Sequence, residues 1–326
     1  MEKINWGIIG CGDVTEVKSG PAFNKVNNSK LVAVMRRDAE KAKDYAQRHG
    51  VPKWYANAND LIADPDINAI YVATPPSSHE EYTLAAIKAG KPVYVEKPMS
   101  FSLDSSLNMI RAAEEKNIKL SVAHYRRAQP LYTRIKSLLD EKAIGKPLFA
   151  NLELYKRPLS DEELKLPGKA WRVDAAVSGG GLFYDLGPHQ LDMMYYFFGE
   201  TSKVSGIAHN QSGVLKVNDI VSGNILFKNG VLFHGIWCFN TPAEEEKDRC
   251  EIIGSEGKIS FSFFEHQPIV ITRSGKTEKL SFDPLPHVQQ PMIEKVVDYF
   301  LGRGANPCSG EEGVEVMRLI SIFDKS

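Results

Sequence analysis

The first 125 or so residues alternate between two patterns, and this alternation narrows the fold more than any other feature of the chain. Short apolar runs occupy residues 4–10, 31–35, 69–74, 93–96 and 120–123, with segments of helical character at 14–26, 38–49, 79–89 and 103–116. The runs are nearly continuous Val, Ile and Ala, as in strands buried on both faces. Helices must then cover both faces, and strand–helix alternation at this rhythm builds right-handed βαβ units into a doubly wound parallel sheet. Punctuation agrees: Ser78-His79-Glu80-Glu81 reads as a capping box, and Gly90 with Pro92 closes the helix it opens.

Beyond residue 125 the rhythm changes. A helix at 130–140 and a Gly145-Lys146-Pro147 turn precede an extended run at 148–156. An irregular stretch reaches Gly181, and a helix follows at 184–198, its closing Tyr195-Tyr196-Phe197-Phe198 reading as core. From 204 to 282 strand follows strand, with turns at Lys228-Asn229-Gly230, 254–257 and Ser274-Gly275, and the run 244–249 reads as a solvated loop. Helices at 291–301 and 313–323 follow. Residues 1–124 are thus expected to form a parallel α/β domain, and 125–326 an α+β domain on a large, mostly antiparallel open sheet. Two domains suit 326 residues, because single cores rarely grow past about 250–300 residues. The pattern is still helical at Asp324-Lys325-Ser326, which leaves room for a longer natural chain.

Lys and Arg number 40 against 41 Asp and Glu, a net charge of −1 without the basic excess of a nucleic-acid binder. No apolar run approaches the roughly 20 residues of a membrane span, and Met1-Glu2-Lys3 leads straight into a strand pattern without a signal peptide. Cys11, Cys238, Cys250 and Cys308 lack C-x-x-C spacing, so neither a disulfide framework nor a zinc site is expected. The expectation is a cytoplasmic protein whose partner is a small molecule, not nucleic acid or a membrane.

Gly10-Cys11-Gly12-Asp13-Val14-Thr15 follows the first strand and opens the first helix. In a Rossmann-type sheet the first glycine permits the tight turn and the second lets backbone approach a pyrophosphate; Thr15 stands where a third small residue is usual. An ordinary strand-to-helix turn is the alternative, and the position at residue 10 favours the coenzyme reading. The second strand ends Val34-Met35-Arg36-Arg37-Asp38, with Arg36 24 positions after Gly12. A carboxylate there would bind the ribose of NAD, and arginine the 2′-phosphate of NADP, so NADP is expected over NAD. The alternative is that Arg36 and Arg37 are solvated and Asp38 takes the ribose.

Thr74-Pro75 with His79, and Glu96-Lys97-Pro98, fall at the carboxyl edge of the sheet, where ligands bind. A lysine there polarises a hydroxyl or carbonyl oxygen, unless Lys97 is merely solvated; Pro98 fixes a turn, with a cis bond as one option. On a helix, Asp185, His189 and Asp192 share one face. Histidine suits proton transfer near neutral pH, with a buried structural histidine or an Asp-His-Asp metal site as alternatives. No further ligands accompany those three, and no metal is expected.

Together these motifs resemble the glucose–fructose oxidoreductase / inositol dehydrogenase (Gfo/Idh/MocA) family over nearly the whole chain. They are the Gly-x-Gly loop, Ala73-Thr74-Pro75 with His79, Glu96-Lys97-Pro98, and Gly179-Gly180-Gly181 followed by Asp185, Gly187, His189 and Asp192. The resemblance implies hydride transfer between a nicotinamide coenzyme and a secondary alcohol or ketone of a sugar, cyclitol or related polyol. It implies Lys97, Asp185 and His189 as the catalytic group, with Tyr125 and Arg126 beside the substrate; Arg126 and Arg127 read equally well as ion-pair partners. Coenzyme contacts are implied at Gly10, Gly12, Asp13, Val14, Thr74, Pro75, His79, Glu96 and Lys97, and at Trp171 and Arg172; Arg36 and Arg37, expected at the coenzyme from the end of the second strand, depart from the family pattern, as does Thr15. A homodimer or homotetramer through the C-terminal sheet is implied as well. Two other functions occur on such a fold: a glycoside hydrolase that retains NAD, and a catalytically silent dinucleotide-binding regulator.

Overall fold

A computed structural model describes residues 2–325. It divides into two compact units. One comprises the chain up to Gln129 together with Leu285–Met317, and the other comprises Pro130–Pro284 together with the chain from Arg318.

The first unit holds strands β1 (Ile4–Ile9), β2 (Ser29–Met35), β3 (Lys53–Tyr55), β4 (Ala69–Val72), β5 (Val93–Val95) and β6 (Leu120–Val122) in one parallel sheet. Their spatial order is β3-β2-β1-β4-β5-β6. Helices α1 (Asp13–Val17), α2 (Ala39–His49), α3 (Ala58–Ala63), α4 (His79–Lys88) and α5 (Leu103–Glu115) connect them. The order reverses between β1 and β4, which opens the crevice at the strand ends where such sheets take ligands. Asp38 caps α2 by accepting from Lys41 N at 3.2 Å, and Gly50 ends it in the left-handed conformation at φ +63°.

The helix expected over 14–26 is broken. It stops at Val17, and a 3₁₀ turn at Gly20–Asn24 follows, with Pro21 in its first turn and Gly20 packed closely on α1 and α2. A Cβ at Gly20 would lie 2.2 Å from both Thr15 O and Tyr45 Oη. β3 and α3 have no counterpart in the expected pattern: β3 is three residues long, half-exposed, and tied down by Lys53 and Tyr55 side chains on buried Asp64. The capping box at Ser78 does not form. Ser78 Oγ turns to Thr74 Oγ1 at 2.9 Å, and Glu80 accepts from Ser105 Oγ and Asn108 Nδ2 on α5. At the far edge of the sheet, Val122 N and Ser121 Oγ donate to Cys308 O, and Asn306 Nδ2 donates to Leu120 O.

The second unit is built on eight strands. They are β7 (Pro147–Tyr155), β8 (Thr201–His209), β9 (Ile220–Phe227), β10 (Leu232–Cys238), β11 (Lys247–Gly254), β12 (Gly257–Phe261), β13 (Ile269–Arg273) and β14 (Lys276–Leu280), in the order β14-β13-β12-β11-β7-β10-β9-β8. Every pairing is antiparallel except β7 with β10. Around them lie helices α6 (Pro130–Asp140), α7 (Asp161–Leu164), α8 (Pro167–Ala170), α9 (Ala175–Ser178) and α10 (Leu182–Phe198). Gln290–Phe300 (α11) returns to the first unit, and Gly310–Phe323 (α12) closes the described chain.

α10 covers one face of the large sheet. Phe183 meets Trp237 edge-on at 5.1 Å, Phe197 meets Phe261, Phe198 meets Phe227, and Trp237 Nε1 donates to Gln190 Oε1 at 2.6 Å. The opposite face leaves Phe149, Ile207 and Leu232 exposed beside polar neighbours. The run expected to be a solvated loop over 244–249 is half strand. Lys247, Arg249 and Glu251 point outward in period 2, while Asp248 points inward and accepts from the main-chain N–H groups of Phe263, Phe264 and Glu265 at 3.1, 2.5 and 3.0 Å.

Candidate active site

In the first unit the glycine loop sits at the switch between β1 and β4. Gly10 has φ +96°, and a Cβ there would lie 2.7–2.9 Å from Thr74 Cγ2, Thr74 N and Ala73 C, so only glycine lets these strand tips pass. Gly10 and Cys11 both donate to Met35 O, which anchors the loop to β2. Gly12 differs: a Cβ there would meet nothing within 4 Å. That open backbone at the switch point is the cradle a pyrophosphate needs, with Asp13 and Val14 opening α1 beside it. Thr15 is fully buried, donates to Gly12 O at 2.8 Å and accepts from Tyr45 at its own carbonyl; the close helix contact has moved to Gly20.

At the tip of β2, half-buried Arg36 donates to Cys11 O at 3.3 Å, and Arg37 is exposed. Asp38 is engaged by α2: its bonds to Lys41 N and Nζ hold its carboxyl below the ordinary aspartate value.

His79 is fully buried, with Nε2 2.7 Å from Thr74 O and Nδ1 3.0 Å from Pro98 O. Burial holds its pKa below the ordinary histidine value, so the ring is neutral at pH 7 and donates to one of the two carbonyls. It braces the β4 and β5 turns from beneath rather than lining a surface. Lys97–Pro98 is cis, Lys97 is half-buried, and Lys97 N donates to the buried Glu96 carboxylate at 3.1 Å. Tyr125 is buried with the Arg126 guanidinium 5.8 Å from its ring centre, and buried Arg127 forms an ion pair with half-buried Glu312.

In the second unit, Trp171–Val173 forms one 3₁₀ turn, with the Arg172 guanidinium 5.2 Å from the Trp171 ring centre. Arg172 also donates to Gly168 O, and its Nε lies 2.8 Å from Asp185 Oδ2. Left-handed Gly179 and Gly181 turn the chain into α10. Asp185 stands in the first turn of α10, and His189 and Asp192, both buried, follow on the same face; Phe264 meets the His189 ring edge-on at 5.9 Å. Among the described residues no three His, Cys, Asp or Glu side chains gather as a metal site would require. None of their helices is long and apolar enough to cross a membrane.

Three residues around Glu96 escaped the sequence reading. Tyr71 is in a strand and reads as core, Ser19 falls within the helical pattern over 14–26, and Gln289 follows Glu96 by 193 residues with no motif around it.

Residues 4–124 match the model of the oxidoreductase family with an NAD-binding Rossmann fold, and residues 132–260 match the GFO/IDH/MocA C-terminal domain. The chain belongs to the Gfo/Idh/MocA oxidoreductase family. Within that family it is 47% identical over 325 residues to oxidoreductase P35 of Formosa agariphila, covering 98% of each chain. It is 28% identical over 317 residues to the 1,5-anhydro-D-fructose reductase of Ensifer adhaerens, covering 95% of this chain and 92% of that one. The levoglucosan dehydrogenase structure in complex with NADH shares its fold, with a TM-score of 0.87 and 24% identity over 98% and 96% of the two chains. This Gfo/Idh/MocA member is an NAD(P)-dependent oxidoreductase acting on CH–OH groups.

Proposed function

We propose that the enzyme interconverts a secondary alcohol and a ketone on a sugar, cyclitol or related polyol, with NADP preferred over NAD. The observation that carries the chemistry is on α10, where Asp185, gripped by Arg172, precedes His189 by one turn on the same face. When bound, the nicotinamide coenzyme supplies the hydride acceptor or donor. The residues of the chain do the rest. The Lys97 ammonium polarises the reacting oxygen, His189 exchanges its proton, and Asp185 orients the substrate and tunes the other two. The NADP preference rests on Asp38, which is spent on its helix cap, while Arg36 stands at the tip of β2. Arg37, Thr74 and Pro75 complete the proposed coenzyme contacts. His79 and Glu96 act from beneath them, and Arg172 acts through Asp185.

The proposed assembly is a cytoplasmic homodimer or homotetramer that covers the sheet face carrying Phe149, Ile207 and Leu232. Nicotinamide absorbance with both coenzymes, against sugars, inositols, ketoses and aryl glycosides, tests the function. Coenzyme reduction by a polyol supports it. Sugar release from a glycoside without net coenzyme turnover overturns it in favour of a coenzyme-retaining hydrolase.

A further inference from the structure

Glu96 is a carboxylate only 6% exposed, at the end of β5 beside Lys97. Its Oε1 accepts from the Tyr71 hydroxyl at 2.5 Å and from Gln289 Nε2 at 2.6 Å, and its Oε2 accepts from Lys97 N at 3.1 Å. These donors are neutral, so this buried carboxylate depends on their placement, and losing one leaves an acceptor poorly satisfied. Gln289 is itself fully buried and holds a second element: its N–H donates to Lys18 O at 3.1 Å, and nearby His287 Nδ1 lies 2.6 Å from Val17 O. Val17 and Lys18 end α1, the helix opened by the glycine loop. One residue, from a segment far downstream, thus meets the end of the coenzyme-loop helix through its main chain and the carboxylate that holds the Lys97 main chain through its side chain.

We infer that Gln289 is a positioning residue: its amide fixes Glu96, and through it keeps Lys97 in register with the coenzyme loop. The inference rests on the proposed role of Lys97 in polarising the reacting oxygen.

Gln289→Glu and Gln289→Met test it in the full chain. The introduced carboxylate would face Glu96 in a buried site where both cannot be charged; one shared proton restores a donor. Tyr71, Tyr94 and His79 also act electrostatically on Glu96, and Lys97 adjoins it. Burial keeps both tyrosines protonated and the histidine neutral, which leaves the mid-pH range clear for the new pair.

The expected result is a ratio of variant to parent kcat that is near one at low pH for Gln289→Glu and falls about tenfold as pH rises. Gln289→Met should be down by about tenfold at every pH, with the loss in kcat rather than KM. NADPH affinity, read by its fluorescence, should be unchanged in both variants. A pH-independent ratio for Gln289→Glu, or activity that only tracks loss of far-UV circular dichroism, overturns the inference alone. A parent that turns over no polyol overturns the proposed function and the inference with it.

Discussion

The guanidinium of Arg172 lies against the carboxylate of Asp185, Nε to Oδ2 at 2.8 Å, with α9 and the glycine run between them in the chain. Both side chains are partly exposed, at 29% and 18%. The pair is therefore too wet to contribute much stability, and Arg172 acts on the carboxylate through its charge at close range rather than through an aligned hydrogen bond. Arg172→Met should leave the fold intact and lower kcat/KM by about 10–100-fold, the cost of freeing a positioned carboxylate. Steady-state kinetics beside a thermal melt checks this; equal losses of activity and stability would assign Arg172 to the scaffold.

His189→Ala should cut kcat by about 10²–10⁴-fold, the usual contribution of a general acid–base. NADPH affinity should persist, since His189 belongs to α10 and the glycine loop to the other unit. Fluorescence titration beside turnover separates the two effects. Unchanged turnover would remove His189 from the mechanism.

Coenzyme choice is expected to reside at the tip of β2. Arg36→Ala should weaken NADP by about tenfold or more, the loss of a charge-assisted phosphate contact, and leave NAD nearly unaffected. Parallel titrations of parent and variant decide this. A parent that binds NAD as tightly as NADP contradicts the expectation.

Glu16 offers a test in pH. Its hydrogen bonds to Arg48, with a further one to His49, hold its carboxyl down to about 2 from an ordinary 4.5. A depressed folded-state pKa means stability that is present above 4.5 and lost as pH falls towards 2. Glu16→Gln should therefore melt below the parent at pH 7, by a small margin because the pair is partly exposed, and the gap should narrow as pH falls from 4.5 towards 2. A gap that does not change with pH would mean that Glu16 acts through packing.

The parallel sheet was legible because β1, β4, β5 and β6 are buried on both faces and so read as short apolar runs, and because helical segments alternate with them. α10 was legible for a similar reason, as one long apolar helix opened by glycines. What stayed hidden involved partners distant in sequence. Thr15 departs from the glycine fingerprint, and only the packing of Gly20 on Thr15 and Tyr45 shows that the close approach was displaced by five residues. Asp248 sits in a run of charges that reads as solvent-facing, and it is buried because three main-chain N–H groups from another strand end converge on it. In the candidate site, Glu96-Lys97-Pro98 and Asp185 with His189 stood out as local spacings. Arg172's grip on Asp185 and Gln289's on Glu96 have no local signature, because long-range side-chain pairs leave no period in the sequence.

The strand edge at β6 bears on how the protein is made. Leu120, Ser121 and Val122 emerge from the ribosome early, yet the groups they bond to, at Asn306 and Cys308, come near the end of the chain. At about 5–20 residues per second, the coenzyme unit waits roughly 10–40 s with one margin open while Pro130–Pro284 of the second unit is translated. A ribosome that stalls anywhere between Pro130 and Pro284 leaves an open-edged Rossmann sheet exposed to the cell's chaperones and proteases.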